Sequence, residues 1–539
     1  MYPLSRKWSL FLPLLCLLFN SICGQTTKTV ESNNMNYRGH LSYDDFYQFL
    51  GIPYALTPDE QPFGVSKEFL IFKFHCPQMS NDSGTVTGVV DCLTLNVFVP
   101  TTASVTSKLP VIVFIYGGHF HTGHASSQEF GPKYIVRHNV IFVSFNYRTG
   151  PYGFMCLDDV DVPGNQGLRD QYLAIQWVKD NIESFGGDPN QITLMGSDAG
   201  GDSIDLHLLS SKERLFNKAI IQSGSSLSTT LLYPPDRRAA VKIAQRIGFQ
   251  GNDTYNALRY LKYRDPGEIM HAASDLDIQF KPCVEREIQG LEPFLTHEWI
   301  NAAVPKAAGV PILIGFNEYE RVMEHFNQAP EYFQNLNIFN QFLEQTFDFE
   351  DEKEIRMERY LRRFYVGDNN LNQNDVWNII NFDSDSVYNY PIQRSIRKFL
   401  ESNSGDIFYY VFSYVGDRNL NRINFGSLVN VAGHGDELGY LFDRSDIPGP
   451  PTIEDQLVID KMTRMWTDFV KYGNPTPEIS ELIDEKWEPL TVEKIYCMNI
   501  NLNLTLTTSP LAERVTFWDV FYEKNGHLER TLDISYVNK

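Results

Sequence analysis

The stretch ITLMGSDAGGDSIDLHLLSS, residues 192–211, carries the decisive pattern. A short apolar, β-rich run leads straight into Gly196-Ser197-Asp198-Ala199-Gly200 and then into a helical segment. Glycines at the first and fifth positions allow a tight, strained strand-to-helix turn that pushes the middle side chain outward. In a catalytic elbow of this kind the middle residue is a nucleophile, most often serine; here it is a carboxylate. An ordinary glycine-rich connection would read the same over five residues, so the rest of the chain has to arbitrate.

Other apolar runs surround it: LTLNVFV (93–99), PVIVFIY (110–116), VIFVSFNY (140–147), AIIQSG (219–224) and PILIGF (311–316). They are continuous, not alternating, as in central strands covered on both faces. Amphipathic segments lie between them. In QGLRDQYLAIQWVKDNIESF (166–185), Leu168, Tyr172, Ile175 and Val178 recur at helical spacing, and Gly186-Gly187 ends the run. Strands alternating with helices predict an α/β fold on a large, mainly parallel central sheet with helices on both faces. Residues 327–370 turn polar and helical, which reads as a helical insertion over one end of the sheet. With no repeat or Gly/Ser linker, residues 25–539 form one domain in this reading.

The chain has 539 residues, 42% hydrophobic and 21% charged, the balance of a globular protein. Its net charge of -21 argues against nucleic acid, whose phosphates require a basic footprint. Residues 1–24 read as a signal peptide: Arg6 and Lys7, then an apolar run too short for a bilayer, then small residues. No later segment suggests a membrane span, and the polar end TLDISYVNK carries no lipid-anchor signal, so a secreted, extracellular protein is expected. Cleavage would remove Cys16 and Cys23. Cys76 and Cys92 are then the leading disulfide pair, closing a loop of about 15 residues worth roughly 3 kcal/mol. Cys156, Cys283 and Cys497 remain, and at least one stays free or pairs between chains, a free and buried thiol being preferred. Sequons at Asn81, Asn252 and Asn503 suit a glycoprotein.

Set in order along the chain are FLGIPYALTP (49–58), DCLTLNVFVP (91–100), FIYGGHFHTG (114–123), FNYRTGPYGF (145–154), residues 164–196, AIIQSGSS (219–226), AGHGDELGYLF (432–442), MWTDFVKYGNPTP (465–477) and FWDVFY (517–522). Together they resemble the type-B carboxylesterase/cholinesterase family over nearly the whole mature chain. The resemblance implies an α/β-hydrolase fold and places the catalytic histidine at His434 and the triad acid at Glu320. It matches Cys76 and Cys92 to the family's first disulfide. The family's elbow reads Gly-Glu-Ser-Ala-Gly, so Asp198 stands for the nucleophile and Ser197 for the preceding acid. The oxyanion-hole positions fall on Gly118, His119 and Ala199, with His119 replacing a glycine. Arg321 replaces the glycine that usually follows the acid, and Val90 the acid that commonly precedes the DCL motif. Asp198, Glu320 and His434 follow the α/β-hydrolase order of nucleophile, acid and histidine.

Ester hydrolysis needs the histidine to take a proton from a neutral hydroxyl. An ionised Asp198 has none to give, and beside His434 it favours imidazolium, which removes the base. His119 adds a side chain where a glycine-only conformation could be required. Ser197 should face away from the histidine. His119, His121 and His124 match no zinc framework, so no metal and no cofactor are expected. The expectation is a secreted protein inactive on esters that binds an extracellular protein partner or a small apolar ligand in the family's gorge. The enzymatic alternatives are residual ester hydrolysis or an Asp198 nucleophile like that of epoxide hydrolases or haloalkane dehalogenases.

Overall fold

The computed structural model describes residues 27–56, 75–80, 83–229, 231–296, 302–426 and 428–530. The expected signal peptide and Asn81 lie outside these residues. The strands of the main sheet are β1 Thr27–Ser32, β2 Met35–Leu41, β3 Phe46–Pro53, β4 Thr94–Pro100, β5 Leu109–Ile115, β6 Ile141–Phe145, β7 Gly187–Ser197, β8 Lys218–Gln222, β9 Ile312–Asn317, β10 Ile407–Phe412, β11 Tyr496–Ile500 and β12 Thr505–Thr508. Their spatial order is β1-β2-β3-β4-β6-β5-β7-β8-β9-β10-β11-β12.

The sheet is parallel through its centre, from β6 to β11, and antiparallel at both ends. Each apolar run read from sequence falls in one strand. β6 and β9 are buried along their whole length, so nothing in them alternates. Full burial of each Val, Leu, Ile or Phe contributes about 1.5–3 kcal/mol, which favours such runs in a sheet covered on both faces. The antiparallel edges β1–β3 and β11–β12 gave no comparable signal, because their exposed faces carry polar residues.

Helix α1 (Gln166–Asn181) passes into a 3-10 turn over Ile182–Phe185, and Gly186 at φ 90 ends it in the left-handed region, as the sequence predicts. Asp170 of α1 pairs at 2.7 Å with Arg148, both fully buried, and so ties the helix to the loop after β6. Helix α2 (Ala199–Leu209) follows β7 after the single residue Asp198.

The insertion forms helices α3 (Pro330–Asn335), α4 (Ile338–Thr346) and α5 (Asp351–Tyr365). Next come α6 (Val376–Ser384), a π-helical turn (Asp385–Asn389), α7 (Tyr390–Glu401) and, near the C-terminus, α8 (Ala512–Asn525). Phe339, Phe342 and Leu361 of the insertion close with Phe382, Trp518 and Phe521 into a second core, separate from that of the sheet. The insertion therefore packs on other helices, not directly on the sheet.

Cys76–Cys92 is a disulfide, and so is Cys156–Cys283. Among the described residues Cys497 is the free cysteine, and it is buried. Asn252 and Asn503 are exposed. Among the described residues no helix is long and apolar enough to cross a membrane.

Candidate functional site

Asp198 sits at the C-terminal end of the central parallel strand β7, where α/β sheets place their ligands. Its backbone, φ 54 and ψ -126, lies outside the regions favoured by L-residues, at a cost of order 1–3 kcal/mol. The flanking glycines make the turn possible. A Cβ on Gly200 would lie 1.9 Å from the Ile115 carbonyl oxygen, and one on Gly196 would lie 2.4 Å from the Gly200 oxygen. Turn, strand β5 and helix α2 therefore interlock through bare backbone.

The structure brings Asp198, Glu320 and His434 together. Glu320 lies just past β9, fully buried, and its Oε2 is 2.5 Å from His434 Nδ1. Its Oε1 accepts from the Ser223 hydroxyl at 2.6 Å and the Asn317 amide at 2.7 Å, which fixes the carboxylate. The Tyr319 amide donates to the Ala432 carbonyl at 2.9 Å and holds the two loops in register. On the other side, His434 Nε2 lies 3.7 Å from Asp198 Oδ1. Burial pulls the imidazolium down, but the charge and hydrogen bond of Glu320, reinforced by Asp198, raise its pKa to about 10. Both carboxylates therefore favour the imidazolium form of the ring above Asp198.

The Asp198 side chain does more than replace a hydroxyl. Its Oδ2 accepts from the Gly118 amide at 2.7 Å and the His119 amide at 2.9 Å. These amides belong to the loop after β5, at two of the positions the sequence assigns to the oxyanion hole. The carboxylate therefore fills the pocket an ester's carbonyl oxygen would need. Ala199 begins α2 directly after Asp198. His119 Nδ1 lies 3.3 Å from Asp198 Oδ1, and its ring stacks toward His434 with centroids 6.2 Å apart. Burial alone would raise the Asp198 pKa. His119, through its charge and hydrogen bonding, and then His434 hold it well below the usual carboxylate range.

His119 takes φ 52, so the left-handed conformation expected to need glycine is adopted by a histidine here, and its amide points at Asp198 Oδ2. Gly118 has no such latitude: at φ 108, a Cβ there would lie 2.3 Å from the Thr122 carbonyl oxygen. Ser197 is buried, and its hydroxyl faces Glu437 at 3.5 Å, as the reading of the turn predicts. Burial foremost, then the nearby Glu320 charge, raise Glu437 to about 7 against the opposing hydrogen bond from Asn317. Among the described residues no group of three or more His, Cys, Asp or Glu side chains could hold a metal ion.

A cavity of about 500 Å³ opens above Asp198. Leu336, Ile338 and Phe342 from the insertion give it an apolar wall, while Asp202, Lys281, Arg321 and Asp383 line its interior. The apolar gorge expected from the family resemblance is thus replaced by a mixed one, because charged side chains project from several different elements. Arg321 pairs with Asp383 at 2.8 Å and with Glu324 at 2.6 Å, and His325 meets Asp383 at 2.8 Å. Sequence reasoning marked Arg321 as a departure but not as a cavity residue. It missed Asp202, although a helical turn after Asp198 is the spacing that would have flagged it. It also missed Lys281 and Tyr388, which have no local motif.

The sequence model of the Carboxylesterase family matches residues 29–518. Among curated proteins, juvenile hormone esterase of Tribolium castaneum is 29% identical, over 94% of this chain and 93% of its own. Esterase B1 of Culex pipiens is 29% identical, over 89% and 94%. Among solved structures, juvenile hormone esterase from Manduca sexta, with OTFP covalently attached, superposes with a TM-score of 0.78 at 25% identity. That match covers 92% of this chain and all of that one.

Proposed function

The chain belongs to the Carboxylesterase family, and from that premise we propose that it is a secreted, glycosylated member that does not hydrolyse carboxylic esters but holds a small ligand in the cavity above Asp198. Its fold is the α/β-hydrolase fold of that family. One observation carries the reading: the carboxylate at the elbow is itself bound in the amide pair that would otherwise receive an ester oxygen. Three requirements of acyl transfer fail together. Asp198 carries no transferable proton, the Glu320 and Asp198 charges bias His434 toward its protonated form, and the hole is occupied. In a serine hydrolase, loss of the nucleophile alone costs about 10⁶ in kcat, or roughly 8 kcal/mol of barrier. Residual ester hydrolysis is therefore set aside.

The cavity persists without that chemistry, and pockets of about 300–1,000 Å³ suit small ligands. Its mixed lining favours an amphipathic molecule, with an apolar body against Leu336, Ile338 and Phe342 and a polar group near Arg321 and Lys281. The disulfides and the exposed sequon asparagines support export. The test is hydrolysis of p-nitrophenyl and naphthyl esters by the purified protein. Rates no higher than those of heat-denatured protein are expected, and turnover well above that control would overturn the reading.

The aspartyl-nucleophile alternative has a specific observation in its favour. With Oδ2 anchored by two amides, Oδ1 is left toward His119, His434 and the cavity.

A further inference from the structure

We propose that the cavity takes epoxides, which Asp198 opens covalently while the Tyr388 hydroxyl protonates the ring oxygen. The inference rests on the reading that Asp198 is an ionised carboxylate unfit for ester hydrolysis, and it names the ligand class of that same cavity.

Four parts are needed to open a strained cyclic ether by a carboxylate: an oriented nucleophilic oxygen, a cradle for its other oxygen, an acid for the leaving oxygen, and a means of cleaving the ester formed. The first two are on Asp198, whose Oδ2 is held by the Gly118 and His119 amides. A carboxylate anchored through one oxygen presents the other at a fixed angle, which is the proximity effect a displacement at saturated carbon requires.

The acid is a residue that local sequence gave no reason to mark. Tyr388 lies in the π-helical turn Asp385–Asn389, inserted between α6 and α7. Single π-helical turns inside helices are frequently found at functional sites. Here Tyr388 lines the same cavity as Asp198, with its ring centroid 4.9 Å from that of His434. The residue is 6% exposed and faces the cavity it lines. A tyrosine in such a wall buries an apolar body and offers a polar tip, which a ligand in the cavity can meet. Burial first, then the negative charge of Asp198, keep this phenol protonated, and the Arg321 charge opposes them. Arg321 lines the same cavity, where its positive charge favours the phenolate once the proton has left.

The steps balance. Asp198 Oδ1 attacks an epoxide carbon, the carbon–oxygen bond breaks, and the alkoxide takes the Tyr388 proton. The products are a hydroxyalkyl ester on Asp198 and a Tyr388 phenolate. Esterification removes the Asp198 charge that helps hold the proton on His434, although Glu320 still favours the imidazolium. The Tyr388 phenolate takes the imidazolium proton through solvent; neutral His434 then takes a proton from water, and the hydroxide attacks the Asp198 carbonyl carbon. The Gly118 and His119 amides receive the oxyanion, and the adduct collapses to the Asp198 carboxylic acid and the alkoxide of the diol. The alkoxide takes that acid's proton and leaves, which restores the carboxylate, the imidazolium and the Tyr388 phenol. Because His434 starts protonated, the second half is slow and the ester accumulates. An alkyl halide needs no proton on its leaving group, so Tyr388 selects the epoxide.

The test incubates the full-length protein with styrene oxide or octyl bromide and follows intact and peptide masses. The expected result is one styrene oxide added at Asp198. Tyr388→Phe should slow that addition by about 10²-fold or more, the usual worth of a general acid, while leaving any octyl bromide addition unchanged. Asp198→Asn should abolish both. After a single turnover in heavy-oxygen water, the label should be in the Asp198 carboxylate and not in the diol. An unmodified Asp198, an adduct confined to His119, or equal epoxide rates with and without the Tyr388 hydroxyl would overturn the proposal. Ester hydrolysis measured on the same sample separates the two ideas: no esterase and no adduct sinks only this inference, whereas esterase activity sinks the reading beneath it.

Discussion

Replacing Asp198 by serine tests the electrostatic argument at its centre. The substitution removes the carboxylate from the Gly118 and His119 amides, to which it lies at 2.7 and 2.9 Å, and supplies a hydroxyl. Each freed oxyanion donor is worth roughly 10²–10³ in rate. It also removes one of the charges that raise the His434 pKa, leaving Glu320 as the chief one. Two features limit the gain. His434 Nε2 is 3.7 Å from Asp198 Oδ1, beyond a hydrogen bond, and a serine oxygen sits on a shorter stem. We therefore expect p-nitrophenyl ester hydrolysis about 10²–10³-fold above wild type, equivalent to roughly 3–4 kcal/mol of barrier. His119→Gly should add little to this, because the His119 amide already faces the hole. Mass spectrometry should find an organophosphate adduct on the new serine and none on wild type. A folded Asp198→Ser protein that neither turns over ester nor becomes phosphorylated would refute the assignment of His434 and the two amides.

Two further outcomes follow from the same geometry. The folded-state pKa of His434 is raised from 6.5 to about 10, so its contribution to stability is complete below pH 6.5 and is lost as pH rises through about 10. Urea midpoints should fall across that window, and Glu320→Gln should flatten the slope. At the turn, a methyl group on Gly200 would lie 1.9 Å from the Ile115 backbone oxygen, which no side-chain adjustment relieves. Gly200→Ala should therefore yield little soluble protein, whereas Gly526→Ala, with nothing within 4 Å of the added carbon, should express normally.

Much of this molecule is legible along the chain. The central strands announce themselves because burial on both faces leaves no polar alternation, and α1 because its apolar stripe and terminal glycines are local signals. The edge strands stay silent, since half-exposed antiparallel strands mix polar and apolar residues without a run. Within the site, Asp198, Glu320 and His434 are recognisable by motif and order, whereas Tyr388 and Lys281 belong to no motif. The Cys156–Cys283 bond spans 127 residues, and no local pattern selects that partner from three leftover cysteines.

The sequence by itself determined the family resemblance, the carboxylate at the elbow and the lack of a transferable proton there, because these depend on residue identity at fixed positions. Tertiary structure alone decided what that carboxylate does: it turns into the amide pair, stands between two histidines and leaves one oxygen toward a charged cavity. The physical reason is that hydrogen-bond direction and desolvation depend on groups brought together from distant strands. No spacing along the chain encodes where a side chain will point once the sheet has closed around it.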